Sequence, residues 1–128
     1  MKVIKRLRVP VGVVFGVIAT VLVGCASFSS QPKYTAEQVM EQGFKGDDSL
    51  IKKVTQGKGT QDDFKRLSEL VNELAKNKPT KGDMASWKEK TSALSAAAKN
   101  LVQGTPGALD SLKAASNCKA CHSVHKPS

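Results

Sequence analysis

The sequence Cys118-Lys119-Ala120-Cys121-His122 lies six residues from the carboxyl end of this 128-residue chain. Positions i, i+3 and i+4 of a helix share one face, so Cys118, Cys121 and His122 are predicted to lie side by side. C-x-x-C-H is the pattern of covalent c-type haem attachment, in which two thiols form thioethers and the imidazole ligates the iron. We therefore expect one haem c, bound covalently at this stretch.

Two other kinds of site use the same residue types. A redox C-x-x-C pair is typical of a thioredoxin-like βαβ unit, and the sequence shows no alternating strand pattern. A zinc site needs four ligands around a tetrahedron, whereas Cys118, Cys121, His122 and His125 crowd a short stretch of one helix. Both remain alternatives, and haem attachment is the favoured interpretation.

The first 24 residues have the parts of a secretory signal. Basic residues within 1–8 precede an apolar run over 9–23, which is shorter than the ~20 residues of a membrane-spanning helix. The run ends in Leu22-Val23-Gly24-Cys25, which resembles a bacterial lipobox, so we expect lipidation of Cys25 and a membrane anchor. Cleavage after Ala26, leaving a soluble periplasmic protein, is the alternative. Either route places the protein in the periplasm.

One small domain is predicted to follow the signal. Residues 25–33 are expected to form a tether, and residues 34–128 the domain. The chain has twenty Lys and Arg against eleven Asp and Glu, and without the four basic residues of the signal its net charge falls from +9 to +5. This mild balance suits docking to an acidic protein surface. The scattered lysines, without interleaved aromatic residues, do not indicate nucleic-acid binding.

The first two helices of the domain are predicted from their capping sequences. Thr35 and Thr60 each begin a capping box. Glycines within 43–49 should interrupt the first helix. The second helix carries apolar residues at spacings of three and four, which predicts a core-facing side: Phe64, Leu67, Val71 and Leu74.

Two more helices are predicted after the loop 77–82. The fourth should start at Thr105-Pro106, with Thr as cap and Pro in the first position, and run without a break into Cys118. Because short connections favour antiparallel neighbours, the predicted fold is all-α, an antiparallel four-helix bundle with covalent haem at the C-terminal helix. The third helix is expected to start at Asp83 and to face the core with Met84, Trp87, Thr91, Leu94, Ala98 and Leu101.

Four helices followed by C-x-x-C-H near the carboxyl end resemble the class II cytochromes c, the cytochrome c′ family. The resemblance covers residues 35–126, and outside the motif it is one of architecture. It implies that Cys118 and Cys121 form the thioethers and that His122 is the proximal iron ligand. It also implies that a residue of the first helix covers the distal face of the haem, as a methionine ligand in electron carriers or as an apolar residue in gas-binding members.

Met40 in the first helix is therefore the candidate distal iron ligand, and His/Met ligation raises the reduction potential. Packing of Met40 in the core is the alternative. A break after residue 43 would change the direction of its side chain. His125 is expected on the surface or at the haem edge, because it projects from the same side of the haem as His122.

The expected function is electron transfer by a haem that cycles between Fe(III) and Fe(II), in exchange with a redox partner protein. No grouping of carboxylates, or of Ser, His and Asp, indicates an enzyme. One alternative is a five-coordinate haem protein that binds NO or CO. Another is a haem-free structural lipoprotein. Homodimers are common in the resembled family, which leaves a homodimer open here.

Overall fold

The computed structural model describes residues 31–127. The predicted signal segment and Cys25, and with them the expected cleavage and lipidation, lie outside the described residues. Within 31–127 no helix is both long and apolar enough to cross a bilayer. Residues 31–127 contain no strand, and the fold is all-α as predicted, with six helices: α1 Ala36–Gly43, α2 Leu50–Thr55, α3 Gln61–Lys76, α4 Met84–Val102, α5 Ala108–Ala115 and α6 Cys118–His125.

Helices α3 and α4 pack along each other in opposite directions. At one end, Gln61 Nε2 donates to the carbonyl oxygen of Val102 at 2.9 Å. At the other, Trp87 Nε1 donates to the carbonyl oxygen of Asn77 at 2.8 Å. We call this second end, where α3 finishes and α4 begins, the Asn77 end.

The predicted caps are confirmed at the starts of three helices. Thr35 accepts from the backbone N–H of Gln38, and the Gln38 side chain accepts in return from the Thr35 N–H. Thr60 and Asp63 form the same reciprocal pair at the start of α3. Asp83 accepts from the backbone N–H of Ser86 at 2.8 Å and caps the start of α4. Each pair satisfies backbone donors that the first turn of a helix leaves without partners.

The predicted interruption of the first helix is confirmed. Helix α1 ends at Gly43, and α2 starts at Leu50 after a turn in which Gly46 has φ of +95°. That left-handed conformation strains residues with a side chain, so glycine is suited to the turn. Both α1 and α2 pack against α3.

Two expectations about the fourth helix were wrong. Thr105 and Pro106 form a turn, and α5 begins only at Ala108 because Gly107 precedes it with φ of +76°. The helix then stops at Ala115, and Asn117 caps a separate helix by accepting from the N–H of Ala120 at 3.2 Å. An Asn side chain competes with helical hydrogen bonding in this way, so the motif residues start a new helix.

The core is built mainly from the predicted stripes of α3 and α4. Met84 was predicted to face the core, but 36% of it is exposed. Leu70 is fully buried, although it was not among the residues predicted for the buried side of α3. Phe64 and Leu101 are half-buried at its margin. The buried apolar cluster comprises Val39, Ile51, Val54, Leu67, Leu70, Val71, Leu74, Trp87, Leu94, Ala97, Ala98 and Leu112.

Helices α1 and α6 lie at the Asn77 end of the domain without contacting each other. The first N–H of α1, that of Ala36, donates to Asn77 Oδ1 at 3.1 Å. The last residue of α6, His125, bonds to Lys81 in the α3–α4 loop. Helix α6 packs on α4, α1 packs on α3 and α2, and no Cα atom of α1 comes within 8 Å of one in α6. At the opposite end, by contrast, α2 contacts α5.

Candidate functional site

Helix α6 presents the three motif residues in its first turn and a half. Cys118 is its first residue and is exposed, Cys121 is half-buried, and His122 is exposed. Neither thiol is in a disulfide. Among the described residues, the His122 side chain has no hydrogen-bond partner, and the Cys118 thiol makes only a 3.5 Å contact to the carbonyl oxygen of Ser116. All three groups are therefore available to bind a cofactor.

Cys121 lines a shallow groove between α4 and the α5–α6 pair. The groove has a volume of about 190 Å³. Ligand pockets usually hold about 300–1,000 Å³, so this groove is large enough for one edge of a haem and too small for the whole ring. Its walls are mostly small side chains, which let a flat group approach the backbone: Glu89, Lys90, Ala93, Ala114, Ala115, Asn117, Ala120 and Cys121.

The two thiols differ in their surroundings. Burial raises the pKa of the Cys121 thiol, the charge of Lys90 opposes that shift, and the neighbouring Cys118 adds slightly to it. Since the thiolate is the reactive form, Cys121 is expected to be the slower of the two towards alkylating reagents. Thioether formation with a vinyl group requires both sulfurs within reach of one ring, and their i, i+3 spacing on α6 meets that requirement.

His125 is buried, contrary to the expectation of a surface or haem-edge position. It is 5% exposed and lies edge-on to Trp87, with ring centroids 5.3 Å apart and an interplanar angle of 82°. Its Nδ1 lies 2.8 Å from the carbonyl oxygen of Lys81, and its Nε2 lies 3.1 Å from Ser86 Oγ. The physical reason is its spacing of four residues from Cys121, which places both on the side of α6 that packs on α4.

The position of His125 also bears on the zinc alternative. Both of its ring nitrogens face hydrogen-bond partners on the α3–α4 loop and α4. His125 therefore does not join Cys118, Cys121 and His122 as a fourth ligand. Within residues 31–127 no group of three or more His, Cys, Asp or Glu is placed to hold a metal ion.

Asn77 and Trp87 connect this corner to the start of α1. The Asn77 side chain accepts from the N–H of Ala36 and donates to the carbonyl oxygens of Tyr34 and Glu73, at 2.9 and 2.8 Å. Its backbone carbonyl accepts from Trp87, which packs against His125. We refer to Asn77, Trp87 and His125 as the Asn77 network. Sequence reasoning missed it, although a lone Trp one turn into a helix, directly after a loop, was a usable signal.

Met40 lies in α1, half-buried against the core cluster. The structure brings its helix to the same end of the domain as His122. It does not bring the two helices into contact. Met40 as a distal iron ligand stays a prediction.

The chain begins its contacts with the helices just before α1. The backbone N–H of Lys33 donates to Glu73, and Lys33 Nζ lies 3.2 Å from Glu69. The N-terminal segment therefore enters the helical domain at the Asn77 end, the end that also carries α6.

Comparisons of the sequence with protein-family profiles and with curated proteins, and of the structure with solved structures, found no match.

Proposed function

We propose that this chain is a c-type haem protein that carries electrons in the periplasm, with one haem c bound through Cys118 and Cys121 and its iron ligated by His122. The observation that carries the proposal is the state of α6: two unpaired thiols at i and i+3 and an adjacent exposed imidazole, all on one helix. Bound there, a haem would supply an iron that accepts and releases one electron. The protein would tune its potential through axial ligation and burial.

We also propose that the six helices form a four-helix bundle whose first and fourth members are each broken once. Helices α1 and α2 would be the first member, and α5 and α6 the fourth. The contacts support this arrangement, since α3 packs on α4, each broken pair packs on one of them, and α2 contacts α5. Bundles of this kind hold cofactors between facing helices.

The placement of α1 and α6 at one end of the domain supports a haem seated at the Asn77 end. The groove beside Cys121 is open to one edge of the ring, and α1 offers Met40 from another helix at the same end. Met40 is accordingly the candidate distal ligand. Thioether sulfur opposite an imidazole favours the reduced iron and raises the potential, as suits an electron carrier.

One observation favours a second function. Met40 already packs against the buried cluster, so its side chain has a place in the fold without an iron. If Met40 keeps that position, it would not ligate the iron, and the bound haem could take NO or CO instead. Electron transfer and gas binding thus differ in whether this one side chain ligates the iron.

The predicted setting completes the proposal. With Cys25 lipidated, the domain would sit on a membrane by a short tether that joins it at the Asn77 end. The net charge of +5 after the signal suits an acidic redox partner protein. No nucleic acid enters the proposal, and no catalytic residue is assigned.

Absorption spectra of the protein made with c-type maturation test these functions. We expect a low-spin spectrum that changes reversibly on reduction, with a weak thioether-to-iron band in the oxidised form that Met40→Ala removes. Met84→Ala is the matched control, because Met84 is exposed at the start of α4. A high-spin spectrum that Met40→Ala leaves unchanged and that shifts with CO would support gas binding instead. Protein without haem would refute both and leave the structural lipoprotein.

A further inference from the structure

Resting on the proposed role of His122 as an iron ligand, we propose that His125 is a positioning residue. It holds α6 against the first turn of α4 and thereby fixes the position from which the His122 imidazole extends. His125 itself would touch neither the haem nor its iron.

Helix α6 depends on contacts outside itself. It has eight residues, and isolated helices shorter than about 12–15 residues are marginal in water. Among the described helices it packs only on α4. His125 is its one buried residue. The placement of α6 therefore depends on this side chain more than on any other in the helix.

The hydrogen bonds of His125 are specific enough to set an orientation. A carbonyl oxygen only accepts, so Nδ1 carries a proton and donates to Lys81. In the neutral ring Nε2 then accepts from the hydroxyl of Ser86. The edge of the ring against Trp87 fixes its plane. Three different groups thus define how the ring sits, and with it the end of α6.

Gly82 forms the recess that receives the ring. A Cβ atom at this position would lie 2.7 Å from His125 Nδ1 and 2.9 Å from the carbonyl oxygen of Val124. Any larger residue would push the end of α6 away from the loop. The recess and the ring are therefore complementary in shape.

The consequence concerns His122, three residues earlier in the same short helix. Its imidazole is exposed and has no hydrogen-bond partner among the described residues, so the position of the α6 backbone is the restraint on where it can reach. A ligand held in a fixed direction binds iron differently from one on a loose helix, and the reduction potential reports that difference.

The test compares His125→Ala, His125→Asn and Ser123→Ala in the full chain made with c-type maturation. Ser123 is exposed on α6, outside the haem motif, and serves as the matched control. The Asn amide can keep the hydrogen bond to Lys81. Amide hydrogen exchange of α6, relative to that of α3, measures how firmly α6 is held, and the reduction potential measures the iron site. Haem content is determined first for each protein.

In His125→Ala we expect exchange in α6 to quicken by about tenfold or more, with α3 unchanged, since two hydrogen bonds are lost. The reduction potential should shift in the same variant. In His125→Asn both the exchange rate and the potential should lie closer to their wild-type values. Unchanged exchange in α6 would show that His125 does not hold this helix against α4. Faster exchange with an unchanged potential would overturn the positioning role. Wild-type protein without haem would instead remove the proposed function, while the exchange rates still decide whether His125 holds α6.

Discussion

The indole Nε1 of Trp87 donates a hydrogen bond of 2.8 Å to the backbone carbonyl oxygen of Asn77, which joins the first turn of α4 to the residue that caps the end of α3. Trp87 is 5% exposed, so this polar atom is satisfied in a nearly dry environment. The Asn77 side chain also accepts a hydrogen bond from the start of α1, and Trp87 packs against the ring of His125 in α6. Helices α1, α3, α4 and α6 are therefore all joined through Asn77 and Trp87, at the end of the domain that carries the candidate site.

Asn77→Ala should destabilise the domain by about 2–3 kcal/mol, because it removes three part-buried hydrogen bonds of about 1 kcal/mol each. Urea denaturation gives the free energy of unfolding. Asn72→Ala is the matched control, since Asn72 is exposed on α3. Equal stabilities of the two variants would show that the Asn77 side chain does not join α1 to α3.

Gly82→Ala should cost more stability than Gly104→Ala. Both glycines have positive φ, +81° and +70°, so both substitutions carry about 1–2 kcal/mol of backbone strain. Only at Gly82 does the added methyl meet another group, at His125, whereas nothing lies within 4 Å at Gly104.

Denaturation of both variants, repeated in a His125→Ala background, isolates this contact. We expect the two glycine substitutions to differ by about 1 kcal/mol or more in the wild-type background, as in overpacked sites. The difference should shrink once His125 is Ala. A difference that survives the loss of His125 would locate the clash at the backbone of Val124 instead.

The central helices could be predicted from sequence because their signals are local. Thr60 with Asp63 marks the start of α3, and Leu67, Val71 and Leu74 mark its buried face. Helix periodicity and capping depend on residues within one turn of each other, and such patterns are readable without the fold.

The ends of the fourth segment could not be predicted in the same way. The apolar spacing of Leu112 and Ala115 predicts that the helix continues. It stops because the Asn117 side chain accepts a backbone hydrogen bond and caps a new helix, which the apolar pattern does not reveal. His125 was misplaced for a different reason. Its burial depends on Lys81 and Ser86, which lie 44 and 39 residues earlier, and helical spacing carries no information about such distant partners.

The acid sensitivity of the fold should depend on Asp63. Hydrogen bonds from Lys53, and then from Thr60, lower the pKa of this carboxyl from 3.8 to about 2. A carboxyl with a lowered pKa in the folded state contributes stability that is complete above its unfolded pKa and is lost as the pH falls towards its folded pKa. Asp63→Asn should therefore make stability less dependent on pH between about 4 and 2. Urea denaturation across this range measures it, with Asp62→Asn as the control, and a fall as steep in Asp63→Asn as in Asp62→Asn would contradict the assignment.

Cys118 should react with iodoacetamide before Cys121 in any molecules that lack haem. Cys118 is exposed at the start of α6, whereas burial raises the pKa of the Cys121 thiol and leaves less thiolate. Peptide mapping by mass spectrometry follows each site separately, at neutral pH. In urea the two rates should converge, since the difference comes from the fold. Faster labelling of Cys121 in the folded chain would mean that α6 does not pack on α4 as described.

Covalent haem attachment is tested most directly by the intact mass of the protein under denaturing conditions, after production with c-type maturation. We expect the mass of one haem above that of the polypeptide, retained after denaturation and absent from Cys118→Ser/Cys121→Ser. A wild-type mass equal to that of the bare polypeptide would contradict the account, because the thiols of α6 would then serve some purpose other than holding a haem.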